Sequence, residues 1–235
     1  MNLKSLSKSI ATFAIVGVAA VLAPSVYAGT VNINFDSVAL APGASVSGAP
    51  VTNYLAGYGL TLSGMLPGEI AYISNYSPYT YYWAVPSLPN IFTVGGINPI
   101  DTFTLNFATP VDNFSFARVG ALATSPSGST RGPWSATAYN ASGTSLGSMG
   151  EGYIGTYGAI PTQTFALAAT GINHISFTGN SYNFAGTNLP IMDNFSFTTP
   201  VPEPSTYAML LAGLGLIGFI AYRRKNNSSN MFMAA

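Results

Sequence analysis

The chain of 235 residues has no cysteine and one histidine, which excludes disulfides, thiolate zinc sites, cysteine nucleophiles and histidine-rich metal sites. Charge is almost as scarce: 6% of residues are charged, where an ordinary soluble protein has roughly 25%. Seven basic residues balance seven acidic ones, so no positive field exists to displace counterions from a nucleic acid, and nucleic-acid binding is excluded. No helical periodicity stands out before residue 205. What remains is apolar and rich in turn formers, at 48% hydrophobic with 25 glycines and 16 prolines, enough for one domain of moderate size.

The ends are the most legible part. Lys4 and Lys8 precede an apolar run of 13 residues, Ile10 to Leu22, followed by Pro24 and the small-residue ending Val26-Tyr27-Ala28. This order predicts a secretory signal peptide over 1–28, cleaved after Ala28. Near the other end, Tyr207 to Tyr222 is a 16-residue uncharged run. As a helix it would reach about 24 Å, and the snorkelling Arg223, Arg224 and Lys225 extend that reach. The pattern predicts a transmembrane helix over 207–222 with a basic cytoplasmic tail over 223–235. Everything between the two apolar runs is then placed across the inner membrane.

Ahead of that helix, 201–206 reads Val-Pro-Glu-Pro-Ser-Thr. Two prolines fix φ twice, remove two backbone donors and hold Glu203 in an extended peptide that another protein can read. The ordered set of Pro202-Glu203-Pro204, apolar helix and basic triplet, from Val201 to Lys225, resembles the PEP-CTERM sorting signal of Gram-negative bacteria. The resemblance implies an exosortase as partner, a membrane-embedded cysteine transpeptidase that reads Pro202, Glu203 and Pro204. It also implies a transient inner-membrane tether, with the ectodomain then passed to the cell surface or to extracellular exopolysaccharide and biofilm.

Residues 29–200 hold six acids (Asp36, Glu69, Asp101, Asp112, Glu151, Asp193) and two bases (Arg118, Arg131). Apolar residues recur there with period two, as in Val31, Ile33 and Phe35, in Phe103, Leu105 and Phe107, and in Phe195 and Phe197. Breakers separate these runs at 41–43, 125–128 and 141–143. The pattern predicts an all-β ectodomain, an antiparallel β-sandwich of the jelly-roll kind. One motif occurs twice, as Asp112-Asn113-Phe114-Ser115-Phe116 and Asp193-Asn194-Phe195-Ser196-Phe197, which reads as equivalent strands in facing sheets. By parity both aspartates point with the phenylalanines, and a carboxylate on that side must be paired or bound.

Calcium is one way to satisfy such a carboxylate, since hard oxygen ligands are the kind available. Asn34-Phe35-Asp36 and Met192-Asp193-Asn194 resemble the opening and closing pair that holds a structural Ca²⁺ in sandwich domains similar to carbohydrate-binding modules. Asp36 would need a strand end or bulge to turn toward Asp193. The alternative is that both aspartates cap turns.

Six of the twelve residues from Tyr72 to Trp83 are aromatic. Tyr79, Tyr81, Tyr82 and Trp83 are candidates for stacking on sugar rings; equally, the segment could be a loop whose rings fill core. Trp134 is a weaker second candidate. Catalysis finds little support, because His174 falls on the polar face of its strand and no Gly-x-Ser-x-Gly occurs. The expectation is a non-catalytic, exported surface or matrix protein. Its alternatives are a carbohydrate-binding module for the exopolysaccharide and, behind it, a glycoside hydrolase with two close carboxylates.

Overall fold

The computed structural model describes residues 29–95, 100–122, 132–154, 159–180, 189–200, 210–220 and 222. Ala28–Pro200 forms one compact unit. The expected signal peptide, the Pro-Glu-Pro segment and the basic tail lie outside the described residues. Of the expected span, 210–220 is helical and exposed. No helix among the described residues is long and apolar enough to cross a membrane.

The unit Ala28–Pro200 is built almost wholly from antiparallel strands. One sheet runs β2 (Ser45–Ser47), β4 (Ile70–Asn75), β6 (Asn90–Gly95), β13 (Met192–Thr199), the second half of β7 (Ile100–Arg118) and β11 (Gln163–Leu167). β1 (Gly29–Ile33) lies beside β13 as well, pairing with Phe195–Thr199. The other sheet runs β10 (Ser145–Glu151), β9 (Trp134–Tyr139), β12 (Ile172–Asn180), the first half of β7 and β3 (Leu60–Ser63). A separate two-stranded ribbon joins β5 (Trp83–Ala84) to β8 (Gly120–Ala121).

β7 therefore belongs to both sheets. It changes sheet near Ala108-Thr109-Pro110, where all three residues are exposed and the proline removes a ladder donor. Alternation along its first half puts Asp101, Phe103, Leu105 and Phe107 inward and Thr102, Thr104 and Asn106 outward. Between the sheets the core is dense in phenylalanine. Phe103 stacks on Phe177 at 4.4 Å, Phe116 lies 5.9 Å from Phe177, and Phe35 packs on Phe92 and Phe195 at 5.5 and 5.1 Å. Such ring pairs add to stability beyond the area they bury.

Four expectations are corrected. A helix does occur before residue 205: α1 (Ala49–Ala56) starts at a proline in its first turn and buries Val51 and Leu55. Those two residues are one turn apart, and two turns of helix are too short for a period to emerge from the sequence. The repeated Asp-Asn-Phe-Ser-Phe segments lie on neighbouring strands of one sheet, with Phe114 opposite Phe197 and Ser115 opposite Ser196. Antiparallel neighbours related by a local two-fold bring like sequences face to face as readily as two facing sheets would.

The parity rule fails at both copies as well. Asn113 and Asn194 have φ of 51° and 52°, a conformation that asparagine tolerates, and the register of β7 against β13 shifts at each. Each is a bulge that re-aims the aspartate before it. Asp112 is half-buried and accepts the Gly171 N–H at 2.8 Å. Trp134, an expected second surface aromatic, is buried at 5% exposure and packs edge-on against Phe165 at 4.8 Å.

Candidate functional site

The aromatic segment is a loop closed at its neck, where Tyr76 N–H donates to Pro89 O at 2.7 Å. Inside it a 3-10 turn, Ser77–Tyr79, forms over Pro78, and Tyr82 N–H donates to Tyr79 O at 2.8 Å. The β5–β8 ribbon ties the returning arm down, and Leu122 N–H donates to Tyr82 O at 2.8 Å. Beneath the loop lies a second, small apolar cluster of Ile91, Val119 and Ile191, against which Tyr76, Trp83 and Val85 pack. Burial of this underside pins the loop to the sheet and presents its other side to solvent.

The loop divides the expected stacking residues. Tyr79 and Trp83 line a cleft of about 340 Å³ together with Tyr76, Gly43, Ser45, Ser74 and Asn75. Tyr81, at 65% exposure, and Tyr82 stand at the tip instead, edge-to-face at 5.2 Å and 75°. They are outside the cleft's lining. The cleft thus has aromatic walls, with Tyr76 and Tyr79 at 5.5 Å and 71°, and a floor of hydroxyl and amide groups. Ser45 and Ser74 share a hydrogen bond of 2.7 Å across β2 and β4.

Asn75 and Gly43 set this geometry, and neither was singled out from the sequence. Asn75 is buried; its Nδ2 donates to Leu40 O at 2.9 Å, while its Oδ1 accepts Ser77 N–H at 3.0 Å and Ser77 Oγ–H at 2.7 Å. One side chain therefore fixes both the 40–44 wall and the start of the loop. Gly43 has φ of 75°, and a Cβ there would lie 3.2 Å from the Tyr79 hydroxyl. The Ala-Pro-Gly breaker at 41–43 was the signal available in the sequence.

The far end of the loop is held by the two candidate metal ligands. Asp193 has 0% exposure; its Oδ2 accepts Ser87 N–H and Ser87 Oγ–H, both at 2.8 Å, and its Oδ1 accepts Asn194 N–H at 2.7 Å. Asp36 accepts Asn90 N–H at 3.0 Å. The strand end that Asp36 needed is present: β1 stops at Ile33 and Phe35 takes φ of 61°. Burial pushes the Asp193 carboxyl up from 3.8 to about 6; the three hydrogen bonds oppose this shift, and the nearby charge of Asp36 adds to it.

The donor set at this pair suits a hard cation in kind, being oxygen alone. Asn90, also at 0% exposure, keeps an Oδ1 with no hydrogen-bond partner among the described residues. No group of three His, Cys, Asp or Glu side chains gathers anywhere among them. Asp36 and Asp193 would be the carboxylates to hold Ca²⁺ here, where both Asp193 oxygens already accept N–H or O–H donors, and the ion would supply the positive charge that the two carboxylates lack.

Two other carboxylates are committed to the fold. Glu151 pairs with Arg118 at 2.8 Å. Glu69, buried, accepts Thr102 N–H at 2.8 Å and also Leu66 N–H. No acid among the described residues lines the aromatic cleft. His174 is half-buried and stacks on Tyr139 at 5.0 Å and 17°.

Residues 200–225 match the PEP-CTERM protein-sorting motif. The motif defines an exported, membrane-processed protein, and its reader is an exosortase. The chain carries that signal at its C-terminal side, where Pro202, Glu203 and Pro204 stand. A search of curated proteins finds no match. Among solved structures, the chain is similar to the K2 cleaved adhesin domain of Lys-gingipain, at 14% identity, 73% of this chain, 100% of that one and a TM-score of 0.44. It is also similar to a family 61 carbohydrate-binding module in complex with β-1,4-galactotriose, at 10% identity, 59% and 83% coverage and a TM-score of 0.29. A family 29 carbohydrate-binding module aligns at 12% identity, 76% and 99% coverage and a TM-score of 0.28.

Proposed function

We propose that this protein is a non-catalytic component of the cell surface or extracellular matrix, delivered there by an exosortase that removes the C-terminal helix. The sorting motif over 200–225 carries the reading. A periplasmic ectodomain, tethered through 207–222 until processing, follows from the apolar run and the basic triplet after it. Glu203 is the one charged group in the recognised peptide, so Glu203→Ala is expected to leave the helix attached in the native host. Anti-ectodomain blots of membrane and culture fractions would test this. Equal release of variant and wild type would sink the sorting claim.

A second reading, of the ectodomain, is favoured by the cleft beside the loop: the domain binds exopolysaccharide. Aromatic walls offer faces to sugar rings, and the serine hydroxyls offer hydrogen bonds without charge. The absence of an acid from the cleft's lining favours binding over hydrolysis. Trp83 is half-buried on Ile91 and Val119, so Tyr79→Ala is the cleaner probe. It should weaken binding of the 29–200 domain to the organism's exopolysaccharide by about tenfold, in line with the ~1–2 kcal/mol of a lost ring contact, with Tm unchanged. Unaltered affinity, measured by calorimetry, would remove the cleft from the account.

A further inference from the structure

A second recess lies on the same sheet, on the other side of the aromatic loop. It measures about 450 Å³ and crosses the outer face of β1, β13, β7 and β11. Three strand spacings give it a width of ~14 Å. Its floor is the small side chain of Ala117, and Pro86, at the exit of the loop, forms one wall. Asn32, Asn194, Ser196, Gln163 and Thr164 surround the rest. The backbone pairs these residues in line: Asn32 stands opposite Ser196, and Ala117 opposite Thr164.

The chemistry of this groove is unusual in two respects. None of its lining side chains is ionisable, and Asp193, next to the lining residue Asn194, is sealed at 0% exposure. Its polar side chains are also uncommitted. Asn32, Gln163, Thr164 and Ser196 make no side-chain hydrogen bond among the described residues, while Ser87 Oγ–H binds Asn194 Oδ1 at 3.3 Å and leaves that amide's N–H groups for the groove. Amides and hydroxyls offer donors and acceptors in turn, which matches a chain of hydroxyl groups. A charged polymer would be desolvated here without a counter-charge.

The geometry points to a second ligand site, for an uncharged oligosaccharide lying across the four strands, independent of the aromatic cleft. It rests on the carbohydrate-binding reading and deepens it, because two sites on one small domain would let a monomer bridge polysaccharide chains. Hydrogen bonds dominate this groove and ring contacts dominate the cleft, so each can be disabled alone. Asn32, Gln163 and Thr164 are exposed, which makes them safe positions for substitution.

The test is calorimetric titration of the 29–200 domain, which has its own core, with hexasaccharides of gluco-, galacto- and manno-configuration and with oligogalacturonate as the charged control. The expected result is two sites for at least one neutral hexasaccharide and none for oligogalacturonate. Asn32→Ala with Gln163→Ala should weaken one site about tenfold, for two lost hydrogen bonds, and Thr164→Trp should block it. Tyr79→Ala should affect the other site alone. A single site sensitive to Tyr79 and indifferent to the groove variants would overturn this inference and leave the binding reading intact. Failure to bind any neutral hexasaccharide would overturn both, and equal binding of oligogalacturonate would overturn the assignment to uncharged ligands.

Discussion

Arg118→Ala is expected to cost about 3–5 kcal/mol of stability, the usual loss when one partner of a buried ion pair is removed. Arg118 is 2% exposed and is the one base among the described residues of 29–200. Its Nη2 donates to Glu151 Oε1 at 2.8 Å, and its Nη1 donates to Pro161 O at 2.9 Å and to Val119 O at 3.3 Å. Glu151 in turn accepts the Trp134 indole N–H at 3.3 Å. One guanidinium thus joins β7, β10 and the segment leading into β11. Its loss strands a carboxylate and two carbonyls and leaves a cavity where a long side chain stood.

In a domain of this size that deficit lowers Tm by roughly 6–20 °C, at ~2–4 °C per kcal/mol. The double variant Arg118→Met with Glu151→Leu should lose much less, because no charge is left unpaired. Urea unfolding of the three proteins measures both effects. A loss below 1 kcal/mol in Arg118→Ala would mean that Glu151, 12% exposed, recovers its hydration fully, and that the pair is a surface feature in energetic terms.

Much of this architecture is visible in the sequence, and the two misdirected aspartates share one cause. Period-two runs identify the strands because each strand has one face on the phenylalanine core and one outside, as Phe103, Leu105 and Phe107 do. The turns at 41–43 and 141–143 are legible for the same local reason: Ala44 N–H closes on Ala41 O at 2.9 Å, and Asn140 Oδ1 caps Ser142 and Thr144. What failed was the extrapolation of parity through a bulge. Asn113 and Asn194 give no warning in composition that they will turn to positive φ, and each one resets which way its aspartate points.

The cleft was half legible for a similar reason. Aromatic density marks the loop, but which rings face solvent depends on a second apolar cluster built from Ile91, Val119 and Ile191, three residues far apart in the chain. Their burial fixes Trp83 and Tyr76 from below and so selects Tyr79 for the cleft, leaving Tyr81 and Tyr82 at the tip. Asn75 and Ser87 contribute through contacts to Leu40 and Asp193, at separations that local pattern does not encode.

Those contacts to Asp193 give the domain an expected pH dependence. A carboxyl whose value is about 6 in the fold and 3.8 outside it binds more protons folded than unfolded between those limits. Stability therefore rises as pH falls through 6, is fully gained below about 4, and is lost again on return to neutral pH. The two-unit difference corresponds to an order of 3 kcal/mol. Thermal melts of 29–200 from pH 7.5 to pH 4.5 should show Tm climbing, contrary to the acid lability of domains held by ionised carboxylates. Asp193→Asn should flatten the profile, since the amide Oδ1 can still accept from Ser87 while no charge is buried. Calcium separates the two roles open to Asp36 and Asp193. An ion seated at the pair would supply the missing positive charge, so millimolar CaCl₂ should raise Tm at pH 7.5 and do little at pH 4.5, where Asp193 is already protonated. If the melts coincide with and without calcium at both pH values, the pair anchors Ser87 and Asn90, and through them the aromatic loop, unaided by metal.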